Sequence, residues 1–180
     1  MSTHPDTIAR YSRVAMWFHW TIAVFVIANL AIGLLHDSVL GFAFPIHKAL
    51  GITVLALTAA RLAWRLAHRA PPLPAHTPAW ERGAAHATHW ALYLLMIALP
   101  VTGWLMVSGS AQRRPLTWFG LFDIPYLPVG KAAGGFGHES HEILGWVMLA
   151  LVVLHIGAAL RHRLILRDHV LARMAPALDR

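Results

Sequence analysis

One apolar stretch near the end of the chain, His141 to Arg163, contains two histidines, His141 and His155, fourteen residues apart. At about 100° per residue, this spacing is almost a whole number of helical turns, so both imidazoles lie on one face of a helix. They are separated by roughly 21 Å along its axis. The pattern predicts a membrane-spanning helix with an inward-facing histidine near each membrane surface.

Three further apolar stretches are long enough to cross a bilayer. The chain has 180 residues, of which 57% are hydrophobic and 13% charged, a composition typical of polytopic membrane proteins. We expect one integral membrane domain, residues 1–180, folded as an all-α, antiparallel transmembrane four-helix bundle. The predicted spans are about residues 14–35, 46–66, 80–108 and 138–164. Loops are expected at 36–45, in the proline-rich segment 70–78, and at 109–137, which is predicted to be irregular.

The distribution of cations predicts the orientation of the bundle. Four spans place both termini on one side, which then holds eleven of the Lys and Arg residues, whereas the other side holds four. This excess predicts that both termini lie in the cytoplasm. The first group is Arg10, Arg13, Arg61, Arg65, Arg69, Arg82, Arg161, Arg163, Arg167, Arg173 and Arg180. The second group is Lys48, Arg113, Arg114 and Lys131.

The composition excludes several kinds of site. The chain contains no cysteine, which excludes iron–sulfur clusters, thiolate-ligated haem, covalently attached c-type haem and disulfides. The net charge is +7, but the arginines are spread over loop ends rather than gathered on one face. We therefore expect no nucleic-acid partner.

Histidines within the spans are the candidate ligands, because an ionisable side chain inside a membrane needs a partner. A b-type haem needs two neutral imidazoles on facing helices at equal depth. His47 and His141 meet this requirement near the outer surface, and His19 with His155 is the preferred pair near the cytoplasm. His89 is the rival to His19. The alternative for each histidine is a structural hydrogen bond to a neighbouring carbonyl, or a position at the interface.

Other histidines are candidates for contacts rather than for ligation. If His89 is not a ligand, it could bond a haem propionate or a quinone. His86 and His162 lie at the cytoplasmic boundary, where surface positions are expected, although either could contact a quinone head group. His138 is turned about 100° away from the face of His141 and is expected at the interface.

An internal repeat supports the pairing of the outer histidines. HKALGITVLAL (47–57) and HEILGWVMLAL (141–151) each begin with His-x-x-Leu-Gly, and the glycine one turn further leaves room for a flat ring. His19 and His89 each stand fourteen residues before a glycine, so the chain reads as two related hairpins. The repeat is imperfect, because Arg61 occupies the position in the second span that matches His155.

Over nearly its whole length the sequence resembles the bacterial cytochrome b-561 family. The resemblance implies a bacterial inner-membrane protein with two b haems, and a wider superfamily shares the histidine spacing of the fourth helix. In those relatives helices 1, 2 and 4 supply the four ligands, which implies His19 with His155 and His47 with His141. The motifs that carry the resemblance are RYSRVAMWFHW (10–20), HKALG (47–51), HATHWALYLLMIALPVTGW (86–104), HEILGW (141–146) and LHIGAALRH (154–162).

One member of this family is described as a superoxide oxidase, which passes electrons from periplasmic superoxide through two haems to ubiquinone. By resemblance, the same reaction is expected here. Four outer cations could attract the anion by electrostatic steering. They are Lys48, Arg113, Arg114 and Lys131. The alternative is that they are ordinary loop cations paired with the acidic residues Asp37, Asp123, Glu139 and Glu142.

Two other functions stay open at this point. The chain could be a membrane anchor and electron relay for a separate dehydrogenase or reductase, although its short cytoplasmic segments offer little docking surface and indicate no obligate protein partner. It could instead be a histidine-lined metal transporter, which would bind no haem and would leave the pairing at two depths unexplained.

Overall fold

The computed structural model describes residues 10–35, 37, 40–72 and 77–175. Each of the four long helices has an apolar segment long enough to cross a membrane, which confirms the predicted all-α transmembrane class. Predictions at residues 1–9, 36, 38–39, 73–76 and 176–180, including Arg180 and parts of two predicted loops, lie outside the described residues. The helices are α1 (Arg13–Leu35), α2 (Phe44–Ala67), α3 (Ala79–Gly109) and α4 (Lys131–Arg161), and α4 continues as a π-helical turn, His162–Leu166.

The helices are packed in sequence order, α1 against α2, α2 against α3, and α3 against α4. The segments that flank the bundle meet at one end, where the Tyr11 amide donates to the Arg173 carbonyl at 3.2 Å. The indole Nε1 of Trp20 donates to the Met174 carbonyl at 2.9 Å. Following the predicted orientation, we call this end of the bundle the inner end and the opposite end the outer end.

Large apolar side chains cover the outside of the bundle. Val24 of α1, Ile143 of α4 and Val153 of α4 are each about 60% exposed, as expected of side chains that contact lipid rather than water. Because lipid tails are as apolar as the helix surfaces, the hydrophobic effect contributes little to association between helices. The bundle therefore depends on close packing and on polar contacts.

The closest approach of two helices is between α3 and α4, at glycines. A Cβ atom on Gly109 would lie 2.6 Å from the backbone of Gly134, and one on Gly137 would lie 2.7 Å from the backbone nitrogen of Met106. These contacts explain why α4 begins at Lys131 rather than at the predicted residue 138. The glycines in this segment, which favour a loop in the sequence, are helical in the structure. Because they have no side chains, the backbones of the two helices can come into contact.

Gly134 and its neighbour Gly135 provide a matched test of this contact. Gly134→Ala should destabilise the protein by about 1–3 kcal/mol, because the new methyl group collides with backbone that cannot move aside. Gly135→Ala should be neutral or slightly stabilising, because no atom lies within 4 Å of its Cβ position and alanine favours helix. Thermal unfolding of the purified variants measures the difference, and equal stabilities would contradict the close approach.

The α3–α4 connection is more ordered than the predicted irregular loop. It contains a two-stranded antiparallel ribbon, β1 (Thr117–Trp118) and β2 (Phe122–Asp123), closed by a turn in which Phe119 and Gly120 have positive φ. The indole of Trp118 donates to the Thr53 hydroxyl at 3.0 Å, and Lys48 donates to the Pro115 carbonyl. The connection is therefore anchored to the outer half of α2.

Candidate functional site

Two layers of residues cross the bundle, and each helix contributes one residue to each layer, fourteen positions apart. The layers lie toward the two ends of the bundle, at the depths that the sequence predicts for the two histidine pairs. We call the first set the outer layer and the second the inner layer. The outer layer comprises Gly33, His47, Gly103 and His141. The inner layer comprises His19, Arg61, His89 and His155.

In the outer layer, the rings of His47 and His141 are nearly perpendicular, with an interplanar angle of 80° and centroids 5.9 Å apart. When two imidazoles bind one metal ion from opposite sides at about 2 Å each, their ligating nitrogens are about 4 Å apart. Each ring centroid lies about 1 Å farther from the metal than its nitrogen. The centroids of such a pair are therefore expected about 6 Å apart. In the part of the chain that the structure describes, α2 and α4 show no backbone packing comparable to that of neighbouring helices. The space between them is therefore spanned by these two side chains.

Matching hydrogen bonds hold the two outer rings. The Nδ1 atom of His47 lies 3.1 Å from the carbonyl oxygen of Asn29, and Nδ1 of His141 lies 2.9 Å from that of Leu99. A carbonyl oxygen only accepts, so each Nδ1 carries the proton and each Nε2 is the unprotonated nitrogen, which is the tautomer that binds a metal through Nε2. The residues that supply these carbonyl groups, Asn29 and Leu99, stand four residues before Gly33 and Gly103 in the two related hairpins.

The outer-layer glycines make room for the rings. A Cβ atom on Gly33 would lie 3.0 Å from Cε1 of His47, and one on Gly103 would lie 3.1 Å from Cε1 of His141. Each imidazole therefore packs directly on the backbone of an adjacent helix, where any larger residue would displace it. The outer layer is fixed both by these contacts and by the Nδ1 hydrogen bonds.

A cavity of about 730 Å³, within the usual size range of cofactor sites, adjoins the outer pair. Gly51 and Gly145, one turn beyond His47 and His141, line it, and a Cβ atom on Gly145 would meet no atom within 4 Å. The rest of the lining is mainly apolar. The cavity thus fits a large, flat, mostly apolar group held between two imidazoles.

The inner layer contains three histidines and one arginine. The His155 ring lies 6.2 Å from that of His19 and 5.4 Å from that of His89, measured between centroids. Both guanidinium Nη atoms of Arg61 lie 3.4 Å from Nδ1 of His19. His89 is exposed and hydrogen-bonds the carbonyl of Ala85 in its own helix, whereas His19 and His155 are half-buried. The structure therefore brings both candidate partners close to His155.

The two layers are separated by a packed apolar core. Its members include Ile22, Val54, Met96 and Met148, which are all at most 8% exposed. Val54 and Met148 are each midway between the two layer residues of their helix. This core keeps water out of the space between the layers.

Arg61 was not among the residues that the sequence singled out for a role at the site. The charge distribution places it among the cytoplasmic cations, but in the structure it is half-buried against His19. The signal was present in the repeat, because Arg61 stands where the second hairpin has His155. The carbonyl partners of the outer histidines left no signal in the sequence, because backbone acceptors are the same for every residue type.

His86 and His162 lie away from the inner layer and have other partners. His86 is exposed, and its Nδ1 bonds the Arg82 carbonyl one turn earlier at 2.7 Å. His162, at the end of α4, pairs with the Asp168 carboxylate at 2.6 Å. His138 is exposed, with Nδ1 3.2 Å from the sulfur of Met106. The structure thus groups none of these three with the inner-layer histidines.

The four outer cations divide into two groups. Lys48 and Arg114 line the outer cavity, whereas Arg113 lies over the ring of Tyr126, 5.1 Å from its centroid, and Lys131 is exposed at the start of α4. Among the described residues, no ion pair joins these four cations to an acidic side chain. Lys48 and Arg114 therefore place two cations in the lining of the outer cavity, which also includes Asp37 and Glu142.

Known proteins match this chain along almost its full length. The family model for prokaryotic cytochrome b561 matches residues 10–177. The chain belongs to the prokaryotic cytochrome b561 family. Among its relatives, Cytochrome b561 homolog 2 of Escherichia coli K12 is 35% identical, over 94% of this chain and 93% of the relative. The Yersinia pestis protein named Probable superoxide oxidase CybB is 29% identical, over 93% of this chain and 96% of the relative.

Membership of the cytochrome b561 family makes this a redox protein of the bacterial inner membrane that crosses it several times, and it implies haem b binding. The donor set fits that group. In the described ranges, no cluster of three or more His, Cys, Asp or Glu side chains is arranged to hold a bare metal ion. Paired imidazoles that carry the proton on Nδ1, beside an apolar cavity, fit an iron whose remaining ligands come from a macrocycle.

Proposed function

We propose that this cytochrome b561 is an oxidoreductase with two b haems, which passes electrons from a one-electron donor at the outer end to ubiquinone at the inner end. His47 and His141 would bind the outer haem, and His19 and His155 the inner haem. The observation that carries the proposal is the facing of imidazoles in two layers, at centroid separations of 5.9 and 6.2 Å.

The protein's contribution to electron transfer is placement. When bound, haem supplies reversible one-electron chemistry at iron. With both histidines of a layer bound to its iron, a haem would have no open position for substrate, so the donor would react without binding to iron. The Nδ1 hydrogen bonds of His47 and His141 fix the orientation of the outer ligands, and the core around Val54 and Met148 excludes water between the layers.

Superoxide is the proposed donor, and ubiquinone the proposed acceptor. Two superoxide anions each lose one electron and become O₂, and the two electrons with two protons convert ubiquinone to ubiquinol. The name of the Yersinia pestis relative supports this choice, as do the cations Lys48 and Arg114 at the outer cavity. For the acceptor, the exposed His89 beside His155 is our candidate for a hydrogen bond to quinone or to a haem carboxylate.

Pulse radiolysis tests the donor. Superoxide generated in the presence of the oxidised protein should reduce the haems, and the rate should fall as salt is added because the approach is steered. In the Lys48→Gln, Arg114→Gln double variant, the second-order rate at low salt should fall by about tenfold or more, and its salt dependence should flatten.

The matched control is Arg113→Gln with Lys131→Gln, which removes the same charge from the outer end but not from the cavity lining. We expect this control to retain most of the wild-type rate. A wild-type protein that contains haem but does not react with superoxide would contradict the proposed donor. That result would favour a relay role for a separate redox subunit.

A further inference from the structure

We infer that Arg61, with Arg65 beside it, is the counter-charge for a carboxylate of the inner haem, and that this pairing raises the midpoint potential of that haem above that of the outer one. The inference rests on the proposed function, because it requires a haem between His19 and His155. It concerns two residues that the proposed ligand set does not use.

Arg61 lies inside the membrane-spanning part of α2. Six residues separate it from the end of the helix at Ala67, a distance of about 9 Å along the axis. Its side chain is half-buried, and its guanidinium reaches the ring of His19 at 3.4 Å. A cation at this depth is costly unless it pairs with an anion or faces a polar cavity.

The protein groups around this guanidinium are neutral or positive. Arg61 lies 5.5 Å from the centroid of the Tyr93 ring, and Arg65 lies 5.8 Å from the same centroid. Both arginines line an inner cavity of about 560 Å³ between the inner ends of α1 and α2. Among the described residues, no Asp or Glu lines this inner cavity. A carboxylate that enters beside Arg61 would therefore meet two cations and no competing acidic side chain among the described residues.

The contact between Arg61 and His19 points to the same conclusion. A guanidinium only donates, so Nδ1 of His19 is the acceptor in this contact, and the ring proton is then on Nε2. Binding iron through Nε2 requires the proton to be on Nδ1, which can no longer accept from Arg61. With His19 as a ligand, Arg61 keeps its hydrogen bond to Tyr93 but loses this acceptor, and its remaining N–H groups are available to another one.

A haem carboxylate is the acceptor that meets these requirements. Haem b has two propionate carboxylates, and a guanidinium pairs with a carboxylate through two parallel hydrogen bonds. A macrocycle held by His19 would already lie next to Arg61. The phosphate of a lipid would instead remain nearer the membrane surface, whereas Arg61 lies about 9 Å inside the end of α2.

The charge pattern has a consequence for the direction of electron flow. A nearby positive charge stabilises the reduced form of a haem, because reduction adds a negative charge. Arg61 and Arg65 have no acidic neighbour in the inner cavity, whereas Lys48 and Arg114 share the outer cavity with Asp37 and Glu142. The inner haem should therefore have the higher potential, which favours electron flow from the outer to the inner end.

Redox titration of the purified two-haem protein, followed by its absorption spectrum, tests the inference. In Arg61→Gln, the reduced-to-oxidised ratio of the inner haem at fixed potential should fall by about tenfold, a shift of about 59 mV for a one-electron couple. The outer haem should titrate as in wild type. Arg61→Lys, which keeps the charge, should restore most of the wild-type potential. The same substitution is then made in a His141→Ala protein, which should retain only the inner haem. A shift in that protein would show that the change belongs to the inner haem.

Arg82→Gln is the matched control, because Arg82 is an exposed cation at the inner end that does not line the inner cavity. Should Arg61→Gln fail to fold, Arg65→Gln replaces it and should lower the same potential by a smaller amount. The inference would be overturned if both haems were present and neither potential changed in the Arg61 or Arg65 variant. It would also be overturned if Arg82→Gln shifted the potential of the inner haem by the same amount. A wild-type protein without two haems would instead contradict the proposed function.

Discussion

Replacing His141 by alanine should yield a protein that binds one b haem instead of two. The side chain is one of two imidazoles in the outer layer, and alanine offers no donor to replace it. The inner layer lies two turns beyond the packed core around Met148 and shares no side chain with the outer layer, so its haem should remain. Haem per chain, measured by the pyridine haemochrome method, should fall by half.

Two further variants make this result specific. His47→Ala should remove the same haem, and the His47→Ala, His141→Ala double variant should lose no more than either single variant, because both residues serve one site. His138→Ala is the matched control and should keep both haems, since His138 is one turn from His141 and lines the same cavity, but its Nδ1 contacts the sulfur of Met106. Retention of both haems in His47→Ala and His141→Ala would contradict the outer pair.

Replacing His19 by alanine should remove the inner haem, whereas replacing His89 should leave it in place. The His19–His155 centroid separation of 6.2 Å fits two imidazoles on one iron, while that of His89 and His155, 5.4 Å, is shorter than this arrangement requires. His89 is also exposed, whereas His19 and His155 are half-buried. Haem content and the low-spin electron paramagnetic resonance signals of each variant measure the outcome.

His155→Ala is the reference for this comparison, because it should lose the inner haem whichever partner His155 uses. Loss of the inner haem from His89→Ala, with its retention in His19→Ala, would reverse the assignment and place the ligand on α3. In that case, the contact between Arg61 and His19 would be a structural one, and the inner haem would be held between the two helices that pack most closely.

The fold was predictable from sequence because lipid allows few solutions. A chain in a bilayer must satisfy its backbone internally, so four long apolar runs dictate four helices. The fourteen-residue spacing from His141 to His155, and the repeat that relates His47 to His141, then dictate which side chains share a depth. The structure brings the rings of both predicted pairs close together, with centroids 5.9 and 6.2 Å apart, and their role as ligands stays a prediction.

Features that depend on how one helix meets another were not predictable in the same way. Gly134 and Gly137 read as loop residues, since glycine disfavours helix, and only their contact with α3 makes a helical start at Lys131 favourable. The depth of Arg61 likewise depends on the packing of α2 against α1. Its side chain is long enough to reach the membrane surface, and the sequence alone does not show that it turns inward to His19.

The haem content of the purified wild-type protein tests the two-layer arrangement most directly. The pyridine haemochrome assay, combined with the protein concentration, should give about two b haems per chain, and both should be low-spin, as two axial imidazoles require. A colourless protein, or one that binds a single haem when haem is in excess, would contradict the assignment of both layers as haem sites.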